Sequence, residues 1–408
     1  MAFAFLTPTP DDKEQLERVL EVGLVIQFTL LFARLPGRHL RPFLWVEHDL
    51  LAAVYPVGCM LAALLTVSLV LRRPLLGQAT FPVIVTLFGV ASVWMLWASP
   101  QPLIDVFHLH RESAAAMLRG RTPYDLHLPN FYGHTLFFGP GFATPTSIDT
   151  GSPYPPLSVV LTSLATYSLG DPRIALAAAI LGGALLIDQL GGRAARLSAL
   201  LYLSTPRRFL VLELGWTEPL MVALLAATLL LAQRRSRWLT VGFAGLLGIK
   251  QFSVVLLPLT PLLVGELRPG RVFRLVLGAV FLVALTAVPF VLWDPHAFLR
   301  STVTFHLSQP FRPDSLNLAA FWASVTDRTP PTTVPMLVLT GLAILWALRR
   351  CRLTPAGFAA GGALVLFALF AWSKQAHCNY YDLVIGFLAC AIALAPPPGP
   401  AAAVRNVP

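Results

Sequence analysis

The chain has 408 residues, of which 56% are hydrophobic and 12% are charged, and its mean hydropathy is +0.69. A water-soluble fold carries about 25% charged residues, so this composition excludes an ordinary soluble domain and makes lipid the solvent for much of the surface. The net charge of +10 would suggest a nucleic-acid partner in a soluble protein, but the arginines cluster in short turns between apolar runs. That pattern indicates membrane topology, so we expect a lipid bilayer and no nucleic acid as partner.

Several apolar runs approach the roughly 20 residues that a membrane-spanning helix needs. Two shorter runs, 238–249 and 251–264, flank Lys250 and are predicted to form a hairpin. We therefore expect an all-α polytopic membrane protein, a single domain over 1–408 with roughly 10 to 13 membrane helices. The longer runs are 19–35, 50–71, 79–98, 174–190, 197–212, 219–232, 275–293, 334–348, 356–372 and 383–395.

The arginine clusters predict how these helices are oriented. If the arginine-rich turns are cytoplasmic, then the loops 99–154 and 294–331 and the stretch 373–381 are all extracytoplasmic. Only one crossing then fits between an outer residue 154 and an inner residue 193, so 155–169 is expected to be a short helix at the outer interface. Residues 396–408 become a cytoplasmic tail, and the plasma membrane is the expected location. The arginine-rich turns are at 72–73, 193–196, 234–237, 268–274 and 349–352.

The first outer loop places titratable side chains along a predicted helix. Asp105 is expected to be its N-cap, and Gly120 the residue after its end. Asp105, His108 and Glu112 are spaced i, i+3, i+7 and therefore share one face. A carboxylate just outside the membrane can act as a base. The plainer interpretation is a helix cap followed by a solvated pair.

The order of motifs in this loop points to a known group of enzymes. Asp105 is followed by an alanine-rich helix ending at Gly120, by Pro-Tyr-Asp at 123–125 and by Tyr-Pro-Pro-Leu at 154–157. This order resembles the membrane glycosyltransferases of the GT-C superfamily, most closely glycosyltransferase family 87, the polyprenyl-phosphate-mannose-dependent type. Similar motifs follow at 213–218, 244–250 and 373–382, although relatives often carry Gly-Gln where this chain has Gly215-Trp216.

The resemblance implies a GT-C type helical bundle whose extracytoplasmic loops form the active site. It implies an inverting transfer of a sugar, mannose in the closest relatives, from a polyprenyl-phosphate donor to an extracytoplasmic glycolipid or glycan acceptor. Asp105 falls on the catalytic aspartate of that family and would be the general base.

The donor phosphate needs cationic side chains where water meets hydrocarbon. Lys250, Lys374 and His377 are the candidates, because two of the few lysines of the chain fall at predicted outer helix ends. The remaining substrate-binding candidates are His108, Arg111, Glu112, Tyr124, Tyr154, Glu213, Glu218, His306 and Tyr380.

Other interpretations of these residues stay open. Lys250 can be a snorkelling lysine, Lys374 an interfacial anchor, and Glu213 and Glu218 two wet loop acids. A secondary transporter would line a path at mid-membrane with its charged residues, and a lipid-handling protein of the O-antigen-ligase type would use the same loops differently. We expect no cofactor and no metal, and also no disulfide framework, since the four cysteines lack CxxC spacing. No cleaved signal peptide is expected.

Overall fold

The computed structural model describes residues 10–33 and 54–395, so the predicted tail 396–408 and the parts of the first two apolar runs at 34–35 and 50–53 lie outside the described residues. Between these bounds the chain is helical apart from connecting segments and one short antiparallel pair of strands, β1 and β2, in which Leu128 lies opposite Ile148. The predicted all-α class is thereby confirmed at this level. The elements are α1 (Pro10–Ala33), α2 (Val54–Val70), α3 (Thr80–Ala98), α4 (Asp105–Leu118), β1 (Leu128–Pro129), β2 (Ser147–Ile148), α5 (Pro156–Leu169), α6 (Arg173–Asp188), α7 (Gly192–Leu203), α8 (Arg208–Glu213), α9 (Glu218–Gln233), α10 (Leu239–Leu247), α11 (Thr260–Val264), α12 (Pro269–Trp293), α13 (Pro295–Leu299), α14 (Phe305–Ser308), α15 (Leu318–Thr326), α16 (Thr333–Arg350), α17 (Pro355–Ala371) and α18 (Cys378–Ala393), with 3₁₀ turns at Gly77–Ala79 and Gln251–Leu259 and a π-helical turn at Arg300–Thr304.

Three helical segments of the described chain are long and apolar enough to cross a membrane: Gly77–Ala98, Pro269–Trp293 and Thr333–Arg350. A fourth span results if α5 and α6, which are bent by 108° relative to each other, are counted as one. Other apolar helices have only 10–17 residues. The fold is therefore compatible with an all-α membrane protein, and the larger number of membrane helices stays a prediction.

The helices differ in what they pack against. In α12 and α16 only 17% of the most apolar window is buried, so most of their apolar side chains face away from the protein. Helices α9, α17 and α18 are instead packed together in the main core. Glycines allow the close approach: a Cβ on Gly362 of α17 would lie 2.7 Å from the Phe387 ring, and one on Gly386 of α18 would lie 2.4 Å from Val222 of α9. This tight contact fixes the positions of the three helices relative to one another.

Two predicted segments differ in detail. The predicted crossing 197–212 is wrong as one helix, because α7 ends at Leu203 and α8 begins at Arg208. Pro206 lies in the break, and a proline disfavours helical backbone in the residue before it. The run 251–264 starts as a 3₁₀ helix, with Pro258 inside it, before the short α11. The predicted helix end is confirmed, since Gly120 follows α4 with a φ of 68°.

Candidate functional site

Several of the predicted site residues lie at one end of the helix bundle. Glu218 begins α9, His377 is the residue before α18, and Lys374 follows the end of α17. Since α9, α17 and α18 pack against one another, these positions lie near each other although they are far apart in the chain. Helix α4, which carries Asp105, packs against α5 at the same end.

Asp105 was predicted to be the N-cap of α4, but Ile104 is the N-cap and Asp105 is the first residue of the helix, which therefore begins one residue earlier than predicted. Its Oδ1 accepts hydrogen bonds from the Tyr132 hydroxyl at 3.1 Å and from the Val106 amide at 2.9 Å. The Asp105 amide in turn donates to the Tyr132 hydroxyl oxygen at 3.1 Å. The carboxylate is half-buried, so it is both held in place and accessible. The sequence analysis did not predict Tyr132.

The charge state of Asp105 depends on two opposing effects. Burial raises the pKa of this carboxyl, whereas the Tyr132 hydrogen bond, the Val106 amide and the Arg312 charge lower it. The Arg312 guanidinium is itself fixed by Asp314, with Nε and Nη2 donating to the two carboxylate oxygens at 2.8 and 2.7 Å, and it lies over the Phe137 ring. The loop 294–331 thus brings a cation into the field of Asp105.

Lys250 and Glu218 form a buried ion pair. The Lys250 Nζ lies 3.0 Å from Glu218 Oε1 and 4.5 Å from the centroid of the Tyr154 ring. Neither Glu218 oxygen accepts a hydrogen bond within the described chain, so Lys250 is its charged partner. The interpretations of Glu218 as a wet loop acid and of Lys250 as a snorkelling side chain are therefore wrong. Glu218 is also placed at the N-terminus of α9, where the helix dipole favours a negative charge.

His110 was not predicted, because it lies off the face shared by Asp105, His108 and Glu112. Its ring is fully buried and stacks on Tyr154 with centroids 5.0 Å apart. Nε2 lies 3.2 Å from the Gly215 carbonyl and Nδ1 lies 3.2 Å from Thr162 Oγ1. Burial, with the nearby Lys250 charge, lowers the pKa of His110 to about 3. The ring is therefore neutral at pH 7, and since a carbonyl can only accept, Nε2 carries the proton.

Tyr154 connects the two charged groups. Burial raises its pKa well above the usual value, and the negative charges of Glu218 and Asp105 raise it further. The phenol therefore lies within the fields of both carboxylates while its ring contacts Lys250 and His110. The structure in this way brings Asp105, Tyr154, Glu218 and Lys250 into one cluster, which we call the Tyr154 cluster.

Three further predicted residues have aromatic or hydrogen-bonding neighbours outside this cluster. The His377 ring is parallel to Trp216, with centroids 6.4 Å apart, and burial and the Arg312 charge lower its pKa. His306 Nε2 lies 2.9 Å from the Pro153 carbonyl, beside Tyr154 in the chain. The Tyr380 ring packs on Phe370 and Phe252. Trp216, where the chain departs from the Gly-Gln of relatives, thus packs against a predicted phosphate-binding residue.

Lys374 contacts residues of the loop 294–331 and is not part of the Lys250–Glu218 pair. Its Nζ donates to the Leu307 carbonyl at 2.7 Å, and its backbone carbonyl accepts from the Arg312 amide at 2.9 Å. The side chain is partly exposed. Lys374 therefore joins the loop 294–331 to the segment after α17. Its interpretation as an interfacial anchor stays a prediction.

Tyr124 and Glu213 are buried supports of the site. The Tyr124 hydroxyl donates to the Tyr154 carbonyl at 3.1 Å, and a Cβ on Gly151 would lie 2.0 Å from the Tyr124 carbonyl oxygen. Glu213 Oε1 accepts from the Ser99 hydroxyl at 2.8 Å, and the side chain is fully buried. The interpretation of Glu213 as a wet loop acid is therefore wrong, and both residues hold the loop that carries Tyr154.

The other predicted residues of α4 lie at its exposed side. Arg111 and Glu112 are exposed, and Arg111 contacts the Phe107 ring at 5.7 Å. His108 is half-buried between Phe107 and Phe131, and burial lowers its pKa. The structure does not connect these three residues to the Lys250–Glu218 pair.

Two buried arginines anchor the elements around the site, and neither was predicted. Arg173 donates to Asp171 at 2.6 Å and to the Ser99 carbonyl at 2.8 Å. Arg208 pairs with Asp382 at 2.5 Å and lies over Tyr202. A buried arginine needs an acid, so Asp382, near the start of α18, was the available signal for the second pair.

Within the described residues no group of three or more His, Cys, Asp or Glu side chains is arranged to hold a metal ion. The chain matches none of the protein families, curated proteins or solved structures with which it was compared.

Proposed function

We propose that the protein is an inverting GT-C type glycosyltransferase, which moves a sugar, mannose in the first instance, from a polyprenyl phosphate to an extracytoplasmic glycolipid or glycan acceptor. The observation that carries the proposal is the Tyr154 cluster, in which the buried Lys250 contacts the Tyr154 ring and the held, accessible carboxylate of Asp105 raises the pKa of the same phenol. A transfer of this kind needs a base for the acceptor and a cation for the departing phosphate. Both are present at one end of an apolar helix bundle.

In the proposed reaction Asp105 accepts the proton of the acceptor hydroxyl. The acceptor oxygen forms a bond to the anomeric carbon as the bond from that carbon to the phosphate oxygen breaks, and the polyprenyl phosphate leaves with the electron pair on the opposite face. The anomeric centre is inverted. Tyr132 directs the Asp105 oxygen, because it donates to Oδ1 and accepts from the Asp105 amide.

Lys250 would stabilise the phosphate as negative charge develops on it. An ammonium has three donors, and Glu218 occupies one direction at 3.0 Å. Arg312, whose charge already acts on Asp105 and His377, is a second cation on the side of the outer loop. The partly exposed rings of Trp216 and His377 supply flat surfaces against which a sugar face can pack.

The proposal is tested by turnover of polyprenyl-phosphate sugars with purified protein. Asp105→Asn keeps the size and hydrogen-bonding shape of the side chain but removes the base, so release of polyprenyl phosphate should fall by about a hundredfold or more. The matched control is Asp125→Asn, the same change at an exposed position of the same loop, which should turn over as the unaltered protein does.

Near-normal transfer by Asp105→Asn would refute the role of this residue. Liposome uptake of a solute without any cleavage of the donor would replace the proposal with the transporter alternative.

A further inference from the structure

A groove of about 1150 Å³ opens at the end of the bundle opposite to Asp105. Its position follows from the helices that run between the two ends. Glu218 begins α9 in the Tyr154 cluster, and Gln233, which ends α9, lines the groove. Sixteen residues of helix span about 24 Å. In the same way Pro355 at the start of α17 and Ala393 at the end of α18 line it. The groove is therefore a separate site.

The wall of the groove is strongly basic. Among the described residues that line it the single acid is Glu266, which contacts Arg271 at 2.9 Å. The Arg235 and Arg352 side chains have no ion-pair or hydrogen-bond partner among the residues that the structure describes, whereas Arg193 is neutralised by two glutamates of α1. Arg237 and Arg274 also line the groove. Uncompensated guanidinium groups around a concave space favour an anion with several oxygens.

The groove continues into an apolar surface. Leu277 lies three residues after Arg274 on α12 and thus on the same side of the helix. Phe273, Leu277 and Phe281 follow one another by single turns and are 63%, 55% and 63% exposed. Helix α12 is one of the segments long enough to span a bilayer, and most of its apolar window is not covered by protein. A ligand with an anionic head and long apolar chains would match both surfaces.

We propose that this groove binds the phosphate headgroup of an acidic phospholipid, with the acyl chains lying along α12. Basic pockets between membrane helices are suited to such headgroups, each arginine near the surface contributing modestly. A phosphate ion would satisfy the arginines but would leave the apolar stripe uncovered.

The test measures lipid affinity of the full chain, purified in detergent. Phosphatidylglycerol, phosphatidylcholine and inorganic phosphate are titrated separately, with binding followed by native mass spectrometry and by the unfolding midpoint. We expect phosphatidylglycerol to bind far more tightly than the other two. In Arg235→Gln/Arg352→Gln the affinity should fall about fivefold for each arginine removed. Neither change breaks a contact within the described protein.

The matched control is Arg73→Gln/Arg349→Gln, which removes two exposed arginines from predicted turns of the same side but outside the groove. It should bind phosphatidylglycerol as the unaltered chain does. Equal losses in the two double variants would show a general charge effect and overturn the site, and so would no loss in either. Inorganic phosphate binding as tightly as phosphatidylglycerol would overturn the lipid assignment. If the glutamine variant does not fold, Arg235→Lys/Arg352→Lys must keep the preference for phosphatidylglycerol over phosphatidylcholine.

Discussion

The Lys250 ammonium lies 3.0 Å from the Glu218 carboxylate, and the two side chains are 8% and 0% exposed. A buried pair of this kind is expensive to break, because the remaining charge is left without water and without a partner. Replacing both charged side chains together costs much less free energy of unfolding. This asymmetry separates the structural role of Lys250 from its proposed role toward the donor phosphate.

We expect Lys250→Met to lower the free energy of unfolding by about 3–5 kcal/mol and to weaken donor binding. The double variant Lys250→Met/Glu218→Gln should recover most of the stability but none of the donor affinity. Thermal unfolding and retention of radiolabelled polyprenyl-phosphate sugar measure the two effects. A double variant that regains both would show that Lys250 serves packing alone.

Lys374→Ala should weaken donor binding less than Lys250→Met does. The Lys374 ammonium is partly exposed and already donates to the Leu307 carbonyl, so water and a backbone oxygen compete with a phosphate. A buried charge-assisted bond contributes about 1.5–3 kcal/mol, which corresponds to about tenfold or more in affinity for Lys250. A larger loss from Lys374→Ala than from Lys250→Met in the donor-binding assay would reverse the order of the two lysines.

The pH dependence of transfer should report on Asp105. A base must be ionised, and burial raises the pKa of this carboxyl, so the rate falls as the pH falls through that raised value. The Tyr132 hydrogen bond lowers the same pKa. Tyr132→Phe should therefore move the acid limb of the kcat/KM profile to higher pH. The control is Tyr167→Phe, which removes a hydroxyl that donates to the Ala114 carbonyl of the same helix. Equal profiles for the two variants would contradict the prediction.

The Arg208–Asp382 pair should stabilise the junction of α8 and α18. Both side chains are buried and lie 2.5 Å apart, so Asp382→Asn leaves Arg208 as an uncompensated charge. We expect a loss of about 3–5 kcal/mol in unfolding free energy, measured by denaturation in detergent. The double variant Arg208→Met/Asp382→Leu should be more stable than the single one. If the double variant is no more stable than Asp382→Asn, the loss in the single variant does not come from an unpaired buried Arg208 charge.

The amino-acid sequence was sufficient to predict the all-α class of the protein and the presence of a cluster of polar residues. Low charge and long apolar runs predict helices in a membrane-compatible fold, since backbone groups in lipid must bond within a helix. Local signals also placed Gly120 after the end of α4 and the start of α5 close to Pro156. These features depend on neighbouring residues in the chain, which a sequence shows directly.

The partners of the site residues were decided only by tertiary packing. Glu218 and Lys250 are separated by 31 intervening residues, and each had a plausible solvated interpretation until the helices brought them within 3.0 Å. Spacing along one helix favoured His108 and Glu112, but the neighbouring α5 and the Gly215 turn selected His110 by burying the opposite face. A local period shows which side chains share a face of a helix. Which face becomes buried is determined by packing against residues from distant parts of the chain. Desolvation and charge pairing, on which the chemistry of the site depends, could therefore not be predicted from spacing.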